Sequence, residues 1–415
     1  MVKKYIKRIL TAIVGVVIVP LMGSCTDGPK DPVNPVLTPK QTTLLVYAVA
    51  TNSLSRNLVS DKNEMLQAAQ DIDLDKNNIL VFETQYNYLD DNSKVSDVNL
   101  LKLVKDKNDQ NYSWEKVRDF NDGTASLDPS RVQEILNYVT TSYKAENYGL
   151  IFWSHSTASQ PYFADEVEKS SENTNVYNPM VTLPMQYSFG QDIPIGSGNR
   201  YYQINIDDLA NAIPDHLFDF IWFDSCYMSN IETIYQFRNK CNTFVGYPTE
   251  VLDAGLPYHN VLPYLVGTPD LVHAAELFYD YYSGSFATVA VVDTKKIDDL
   301  ADVCKKYFGE INVSPSVLMK YSRYTTGPFY DLGDYVKAVS AGNGNQISEE
   351  EWDQALEKCV LYKATTNGTL LGLSIDPDRF SGISTHLYNF PENDPDNISV
   401  SEQYYRSLDW FKRVF

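Results

Sequence analysis

The sequence has little cysteine and little positive charge, and both shortages exclude classes of protein. Five cysteines in 415 residues are too few for a fold held together by disulfide bonds. The 34 lysines and arginines are outnumbered by 54 acidic residues, which gives a formal charge of −20 and a pI near 4.6. Phosphate backbones need a clustered basic surface, so a nucleic-acid partner is excluded. The apolar run at 9–22 is too short to cross a bilayer comfortably.

Several motifs of well-known site types are also missing. The chain has no Gly-Lys-Ser/Thr phosphate loop, no His-Glu-x-x-His and no Gly-x-Ser-x-Gly elbow. Asp71, Asp73 and Asp75 imitate the first ligands of a calcium loop. Lys76 stands where that loop needs Gly, and Phe82 stands where it needs a bidentate Glu. We therefore predict a solvated turn there, and no spacing predicts a metal site.

A targeting segment occupies residues 1–24. A basic stretch is followed by the apolar run, and two small residues precede Cys25, as in a bacterial lipoprotein signal. We predict cleavage before Cys25 and lipidation of its thiol; the alternative is an ordinary signal with an incidental cysteine. Residues 25–41 are rich in proline, which predicts an extended tether. The protein is thus expected in the cell envelope, anchored to the outer membrane through this lipid only and facing the periplasm or the surface.

Apolar runs alternate with amphipathic stretches from Thr43 onward, which is typical of a layered α/β fold. The predicted strands are 44–50, 79–82, 149–153, 218–223, 243–246 and 286–292. Their apolar runs are continuous, which indicates strands covered on both faces and hence a mostly parallel sheet. We predict a three-layer α/β/α sandwich over residues 42–294, and we expect a monomer.

Residues 295–415 are predicted to form a C-terminal subdomain that contributes helices and late strands. Its predicted helices are 295–308, 349–362 and 404–411, and its predicted strands are 370–375 and 382–387. Residues 156–200 are a long polar stretch without periodicity, and loops of that length are usually functional or disordered. Three cysteines are predicted to be packed thiols, and the sequence leaves open whether two of them form a disulfide: Cys241, Cys304 and Cys359.

Two of the predicted strands end in residues that suit thiol chemistry. One stops at His155, and another stops at Asp224-Ser-Cys226. Ligands of parallel sheets bind beyond the carboxyl ends of the strands, so we expect both side chains in one cleft. A helical stretch is predicted to begin at Cys226, and a helix N-terminus lowers the pKa of a thiol.

Trp153-Ser-His155 is followed later in the chain by Asp224-Ser-Cys-Tyr-Met-Ser-Asn-Ile-Glu232. This combination resembles the clostripain family of cysteine peptidases, which share the fold of caspases and gingipains. Other stretches are also similar to that family, namely 45–54, 247–250, 255–258, 329–335 and 382–384. The resemblance therefore extends from Thr43 to the C-terminus.

The resemblance implies a cysteine endopeptidase that cleaves peptide or protein substrates after Arg or Lys. Cys226 would attack the scissile carbonyl as a thiolate, and His155 would protonate the leaving amine. The backbone N–H groups of Ser156 and Cys226 would bind the oxyanion. Asp224 would face the basic side chain, because a carboxylate binds guanidinium by two parallel hydrogen bonds. Glu250 is a weaker candidate for the same pocket, and a helix-capping role is the alternative for Asp224.

Some relatives cleave themselves between the His and the Cys, and Lys169 and Arg200 offer basic sites in that stretch here. Some also need calcium, so calcium is a cofactor that the resemblance allows, although no motif localises it. Ser156 departs from the family, which has Gly after the His. The N–H of Ser156 serves the oxyanion only if its turn accepts a Cβ, and losing one such donor costs about 10²–10³ in rate.

Two other functions stay open at this point. The departure at Ser156 favours a catalytically impaired clostripain-like lipoprotein that acts as a binding scaffold at the surface. A glycan-binding lipoprotein is the third possibility, and it rests only on the content of 30 tyrosines and 5 tryptophans.

Overall fold

The computed structural model describes residues 39–88, 94–106, 111–161, 188–193, 202–323, 328–391 and 398–415. The predicted signal peptide, Cys25, Lys169 and Arg200 lie outside these residues, so what the sequence suggests for them stays a prediction. The tether was predicted to end at residue 41, and the first strand begins one residue earlier, at Lys40.

The described strands and helices follow one another along the chain. The strands are β1 (Lys40–Ala50), β2 (Asn77–Tyr88), β3 (Lys94–Lys105), β4 (Tyr112–Asp119), β5 (Ala145–Trp153), β6 (Phe189–Asp192), β7 (Tyr202–Ile204), β8 (Phe218–Asp224), β9 (Cys241–Gly246), β10 (Thr288–Asp293), β11 (Phe329–Asp331), β12 (Val360–Thr365) and β13 (Ser384–His386). The α-helices are α1 (Ser55–Ala68), α2 (Pro129–Ser142), α3 (Ile206–Asn211), α4 (Ile231–Gln236), α5 (Tyr258–Val261), α6 (Leu271–Tyr282), α7 (Ile297–Tyr307), α8 (Leu332–Gly342), α9 (Glu349–Cys359), α10 (Val400–Ser407) and α11 (Asp409–Val414).

Nine strands form one sheet, in the order β12-β10-β9-β8-β5-β1-β2-β3-β4. The five central strands, β9, β8, β5, β1 and β2, run parallel to one another. Antiparallel pairing adds β10 and β12 on one side and β3 and β4 on the other. The prediction of a mostly parallel central sheet is confirmed.

Successive residues of β1 face two separate hydrophobic cores. Leu45 and Tyr47 belong to the core that packs against α2, α3, α4 and α7. Leu44 and Val46 belong to the core that packs against α1, α5 and α6. All four side chains are buried. Because both faces of the strand are covered by helices, its apolar run is continuous, and the predicted three-layer α/β/α arrangement is confirmed.

The edges of the sheet differ from the sequence prediction. The sequence does not predict β3 and β4; the side chains of β4 are only half-buried or exposed, so its apolar pattern is weak. The helix predicted at 349–362 ends at Cys359, and the following residues form the edge strand β12. The strand predicted at 370–375 is wrong, because Gly372, with φ at +74°, turns the chain there.

Residues 295–415 supply β12, the β11–β13 pair and the helices α7 to α11. Of the strand predicted at 382–387, Ser384–His386 forms β13, which pairs with β11 and not with the large sheet. The chain around β13 also contacts the segment after Cys226. Ser384 N–H donates to the carbonyl oxygen of Ser229 at 2.8 Å, and Ser229 Oγ donates to Gly382 O at 2.7 Å. The C-terminal part of the chain therefore supports the site, and the boundary at 294 stays a prediction.

Candidate active site

Three neighbouring strands, β8, β5 and β1, end side by side at one edge of the sheet. Their register pairs Ala48 with Trp153, and Trp153 with Asp224. His155 and Cys226 each follow two residues after a paired position. They therefore lie at the same level beyond adjacent parallel strands, where the sequence placed them.

A hydrogen bond joins the two strand ends directly. Ser156 Oγ donates to the carbonyl oxygen of Cys226 at 2.5 Å. Ser156 is buried, and it is not among the described residues with positive φ, so its turn accepts a Cβ without strain. The side chain that departs from the family pattern thus fixes the His155 turn to the backbone of the candidate nucleophile.

The backbone N–H of Ser156 is not used by the neighbouring strand. Ser156 and Phe189 form an antiparallel bridge, and its two hydrogen bonds, both 2.8 Å, are made by the residues on either side of them. In this pattern the N–H of the bridged residue points away from the partner strand. The Ser156 N–H is therefore not used by Phe189.

The His155 imidazole is half-buried and has one hydroxyl neighbour. Its Nε2 lies 2.8 Å from Ser53 Oγ, in the turn that follows β1. Burial lowers the pKa of His155 to about 4, although the Asp253 carboxylate acts in the opposite direction. The imidazole is therefore neutral in the free protein near pH 7.

The Cys226 thiol contacts the backbone of Val251. The Val251 N–H donates to Sγ at 3.5 Å, and Sγ donates to the Val251 carbonyl oxygen at 3.8 Å. Burial raises the pKa of the thiol to about 12, and the charges of Glu250 and Asp224 add to the rise. The thiol of Cys226 and the imidazole of His155 are therefore both neutral in the free protein near pH 7.

The prediction that a helix begins at Cys226 is wrong. Tyr227 has φ at +63°, so the chain leaves β8 through a turn. The helix α4 begins at Ile231, after Asn230, whose side chain accepts from Thr233 N–H at 3.3 Å. The helix N-terminus thus stands away from the thiol, and its dipole does not lower the thiol pKa.

Asp224 is buried at the end of β8 and is surrounded by hydrogen-bond donors. Its Oδ2 accepts from Leu256 N–H and from Tyr258 OH, both at 3.1 Å. Its Oδ1 accepts from Tyr247 OH at a longer 3.4 Å. Because none of these donors belongs to α4, which Asn230 caps, the helix-capping alternative for Asp224 is wrong. Burial raises the pKa of Asp224 to about 6.

Asp224 is one of four neighbouring carboxylates, Asp61, Glu64, Asp224 and Asp253, which we call the acid group. Asp61 on α1 is buried and accepts from Trp153 Nε1 at 2.8 Å. Burial raises the pKa of Asp61 to about 9, and the charges of the other three add to the rise. Asp61 was not predicted from the sequence, because nothing in a single sequence distinguishes this buried acid from acids that lie on the exposed face of a helix.

Glu250 faces the residue after the thiol. Tyr227 OH donates to Glu250 Oε1, while Oε2 is buried without a partner among the described residues. Burial raises the pKa of Glu250, and the charge of Arg323 acts in the opposite direction. A carboxylate in this place opposes formation of the Cys226 thiolate.

Cys241, Cys304 and Cys359 are buried and unpaired. Within the described ranges, no three His, Cys, Asp or Glu side chains are grouped so as to hold a metal ion. None of the described helices is both long and apolar enough to span a bilayer.

Comparisons with known proteins agree with this geometry. The sequence model of the clostripain family matches residues 46–178 and 189–410. A secreted cysteine protease of Bacteroides thetaiotaomicron, solved with an irreversible peptide inhibitor, is 26% identical with a TM-score of 0.70, over 90% of this chain and 98% of that chain. An inactive zymogen protease of Parabacteroides distasonis shares the fold, at 24% identity and a TM-score of 0.69, over 91% and 99% of the two chains.

No curated protein matches the sequence. The family match nonetheless covers most of the chain, including both strand ends and the C-terminal helices. The chain therefore belongs to the clostripain family of cysteine peptidases.

Proposed function

We propose that the protein is a cysteine endopeptidase that cleaves after Arg or Lys, with Cys226 as nucleophile and His155 as acid and base. One observation carries the proposal: adjacent parallel strands deliver the two side chains to one edge, where Ser156 Oγ binds the carbonyl oxygen of Cys226. The family membership supports the same chemistry.

The reaction would follow from the positions of these groups. His155 takes the thiol proton as Cys226 Sγ bonds to the scissile carbonyl carbon. The backbone N–H groups of Ser156 and Cys226 would hold the oxyanion that forms. His155 then gives its proton to the leaving amine, and water hydrolyses the thioester. Since both groups are neutral in the free protein, the proton of the thiol has to move to His155 during the reaction, and the thiol leaves its contacts with the backbone of Val251 as it attacks.

The acid group supports a basic residue before the cut. Its buried members Asp61 and Asp224 have raised pKa values, so they lack a balancing positive charge. Oδ1 of Asp224 accepts only a long hydrogen bond from Tyr247 OH, at 3.4 Å, among the described residues, which leaves this oxygen the better acceptor for an incoming cation. An Arg or Lys side chain would supply the missing charge and ionise these carboxylates on binding.

The test is turnover of fluorogenic peptides that end in Arg or Lys. We expect cleavage by the wild type and at least 10³-fold less by Cys226→Ala and His155→Ala. His216→Asn is the matched control, because His216 is an exposed histidine in a turn, and Asn tolerates its positive φ. Equal background in all four proteins would remove the catalytic claim, and equal cleavage after Ala would remove the specificity claim.

A catalytically impaired binding scaffold is the second candidate. The neutral thiol and imidazole, together with the Val251 contact, favour it, because each of them opposes a thiolate. It predicts that an affinity probe with Arg and a thiol-reactive group leaves Cys226 unlabelled. Labelling of the wild type and not of Cys226→Ala would exclude the scaffold.

Export, lipid anchoring and self-cleavage belong to the same proposal. The wild type should incorporate palmitate in bacteria, and Cys25→Ser should not. Intact-mass measurement of active protein should show chains ending at Lys169 or Arg200. An intact chain in fully active protein would rule self-cleavage out.

A further inference from the structure

Three consecutive strands of the sheet, β8, β5 and β1, are followed by three polar side chains of the site. Cys226 follows β8, His155 follows β5, and Ser53 follows β1. The strand β5 lies between the other two, so the imidazole has the thiol strand on one side and the Ser53 turn on the other. Ser53 Oγ lies 2.8 Å from Nε2 of His155 although 102 residues separate them.

The turn that carries Ser53 is held in place by its neighbour Asn52. The buried Asn52 Nδ2 donates to the carbonyl oxygens of Val49 and Gln191, both at 2.9 Å. Asn52 Oδ1 accepts from Leu54 N–H at 2.9 Å, which closes the turn around Ser53. The end of β1 and the β6 segment thus fix the backbone of Ser53.

The turn is also tied to the strand that ends at His155. Ser154 Oγ donates to the Val49 carbonyl oxygen at 2.7 Å, and Asn52 Nδ2 reaches Ser154 Oγ at 3.4 Å. This buried network therefore holds the Ser53 hydroxyl within hydrogen-bond distance of the imidazole. Ser53 itself is exposed, so the hydroxyl contributes little to the folded core.

We propose that Ser53 is the positioning residue of the site, whose hydroxyl accepts a hydrogen bond from Nε2–H of His155 and leaves Nδ1 to exchange the proton with Cys226. The inference rests on the proposed function. An imidazole carries its proton on one nitrogen when neutral, and a hydrogen bond at that nitrogen sets the tautomer. With Nε2–H held by Ser53, Nδ1 accepts the thiol proton and later gives it to the leaving amine.

The same hydrogen bond stabilises the imidazolium that forms during the reaction. Nε2–H becomes a charged donor when Nδ1 gains the proton, and hydrogen bonds of charged donors are stronger than those of neutral ones. The half-buried position of His155 disfavours its cation, as its lowered pKa shows, so a local acceptor has a large relative effect. The hydroxyl of Ser53 thus favours the ion pair of thiolate and imidazolium over the neutral pair.

The first test compares Ser53→Ala, Ser53→Thr and the control Ser60→Ala, an exposed serine of α1. We expect Ser53→Ala to lower kcat about tenfold with little change in KM, and Ser53→Thr to restore most of the loss. The acid limb of kcat/KM, which reports the imidazolium of the free protein, should move to lower pH in Ser53→Ala, because the imidazolium loses its proton more readily. Unchanged kcat and pH profile in Ser53→Ala would overturn the inference.

The second test does not depend on peptide cleavage. The rate at which iodoacetamide alkylates Cys226 measures its thiolate, and Cys226→Ala gives the background from the other cysteines. Ser53→Ala should need a higher pH than the wild type for half-maximal alkylation, and Ser53→Thr should not. If the wild type cleaves no peptide but this shift is found, the proposed function fails and the positioning role stands. If the wild type cleaves and neither measurement responds to Ser53→Ala, the positioning role fails alone.

Discussion

Buried acids occur in two regions of the molecule, and their surroundings differ. In the C-terminal region, Glu402 is bound by His386 Nε2 at 2.9 Å and Arg406 Nε at 3.1 Å. Although burial acts against it, these basic partners hold the pKa of Glu402 below its usual value. At the strand ends, Asp61 and Asp224 face further carboxylates, and burial raises both pKa values. Glu402 thus has basic partners within the chain, whereas neither Asp61 nor Asp224 has a basic hydrogen-bond partner among the described residues.

The C-terminal region also contains a buried acid whose partners are neutral. Asp331 Oδ2 accepts from Tyr321 OH at 2.5 Å and from Ser381 N–H at 2.8 Å, and Oδ1 accepts from Asp334 N–H at 3.1 Å. These contacts join β11, α8 and the chain before β13. Asp331 is therefore the matched comparison for Asp224, because both are buried, rich in donors and raised in pKa by burial.

The largest expected effect comes from Asp224→Asn. The amide keeps the size of the side chain and removes its charge, so kcat/KM for peptides that end in Arg or Lys should fall about 10²–10³-fold. Asp331→Asn is the control and should leave cleavage per folded molecule unchanged. If Asp224→Asn cleaves these peptides as well as the wild type does, the acid group has no role in recognition, and the contrast between the two regions fails.

A large loss of stability is expected from Asp331→Ala. Removal of the carboxylate leaves the donors of Tyr321, Ser381 and Asp334 without their acceptor, which should lower the free energy of unfolding by about 2–3 kcal/mol. Urea unfolding measures the loss, and active-site titration of the folded fraction should show normal turnover. A variant that is as stable as the wild type would show that Asp331 is not a structural acid.

A pH-dependent effect on the free energy of unfolding is expected from Asp61→Asn. Asp61 has a pKa near 9 in the folded state and near 3.8 as its model value, so the folded state binds the extra proton between these values. The contribution of Asp61 to stability therefore falls as the pH rises from about 4 to 9. An amide does not titrate, so Asp61→Asn should be more stable relative to the wild type at pH 8 than at pH 5. Urea unfolding at both pH values checks the sign; an equal difference at the two would refute the raised pKa.

The smallest effect, of about 1 kcal/mol, is expected from Ser156→Gly. This change restores the family residue but removes the hydrogen bond from Ser156 Oγ to the Cys226 carbonyl oxygen. Cleavage should stay within about threefold of the wild type, because the backbone N–H remains. Ser156→Ala separates the hydroxyl from the Cβ and should lose similar stability. A large gain of activity in Ser156→Gly would show instead that the Cβ of Ser156 obstructs the site.

Much of the fold could be read from local patterns. The continuous apolar runs of β1, β5 and β8 predicted buried parallel strands, because a strand covered on both faces has no polar side. The edge strand β12 was predicted as the end of a helix, because the amphipathic helix α9 is followed directly by β12 with no turn residues between them. The strand β4 was not predicted either, because its half-exposed side chains give it no clear apolar pattern. At the edge of a sheet, packing against neighbours decides which residues a strand carries.

Some residues of the site could be identified from their sequence neighbours, and others only from their contacts in the fold. His155 and Cys226 could be found because each stands directly after a recognisable strand. Ser53 and Asp61 could not, because their importance lies in the imidazole and the indole that they touch across the fold. The helix start expected at Cys226 was wrong, since the left-handed turn at Tyr227 depends on contacts beyond the local sequence.

The sequence by itself determined which strands are buried and that they run parallel, because hydrophobic periodicity is a local property. It also determined that a thiol and an imidazole follow two of these strands. Tertiary structure alone decided the order of the strands, and so which hydroxyl contacts the imidazole and which carboxylates act on the charge of Asp61. It also set the charge states of the thiol and the imidazole, because pKa values depend on burial and on distances between residues far apart in sequence.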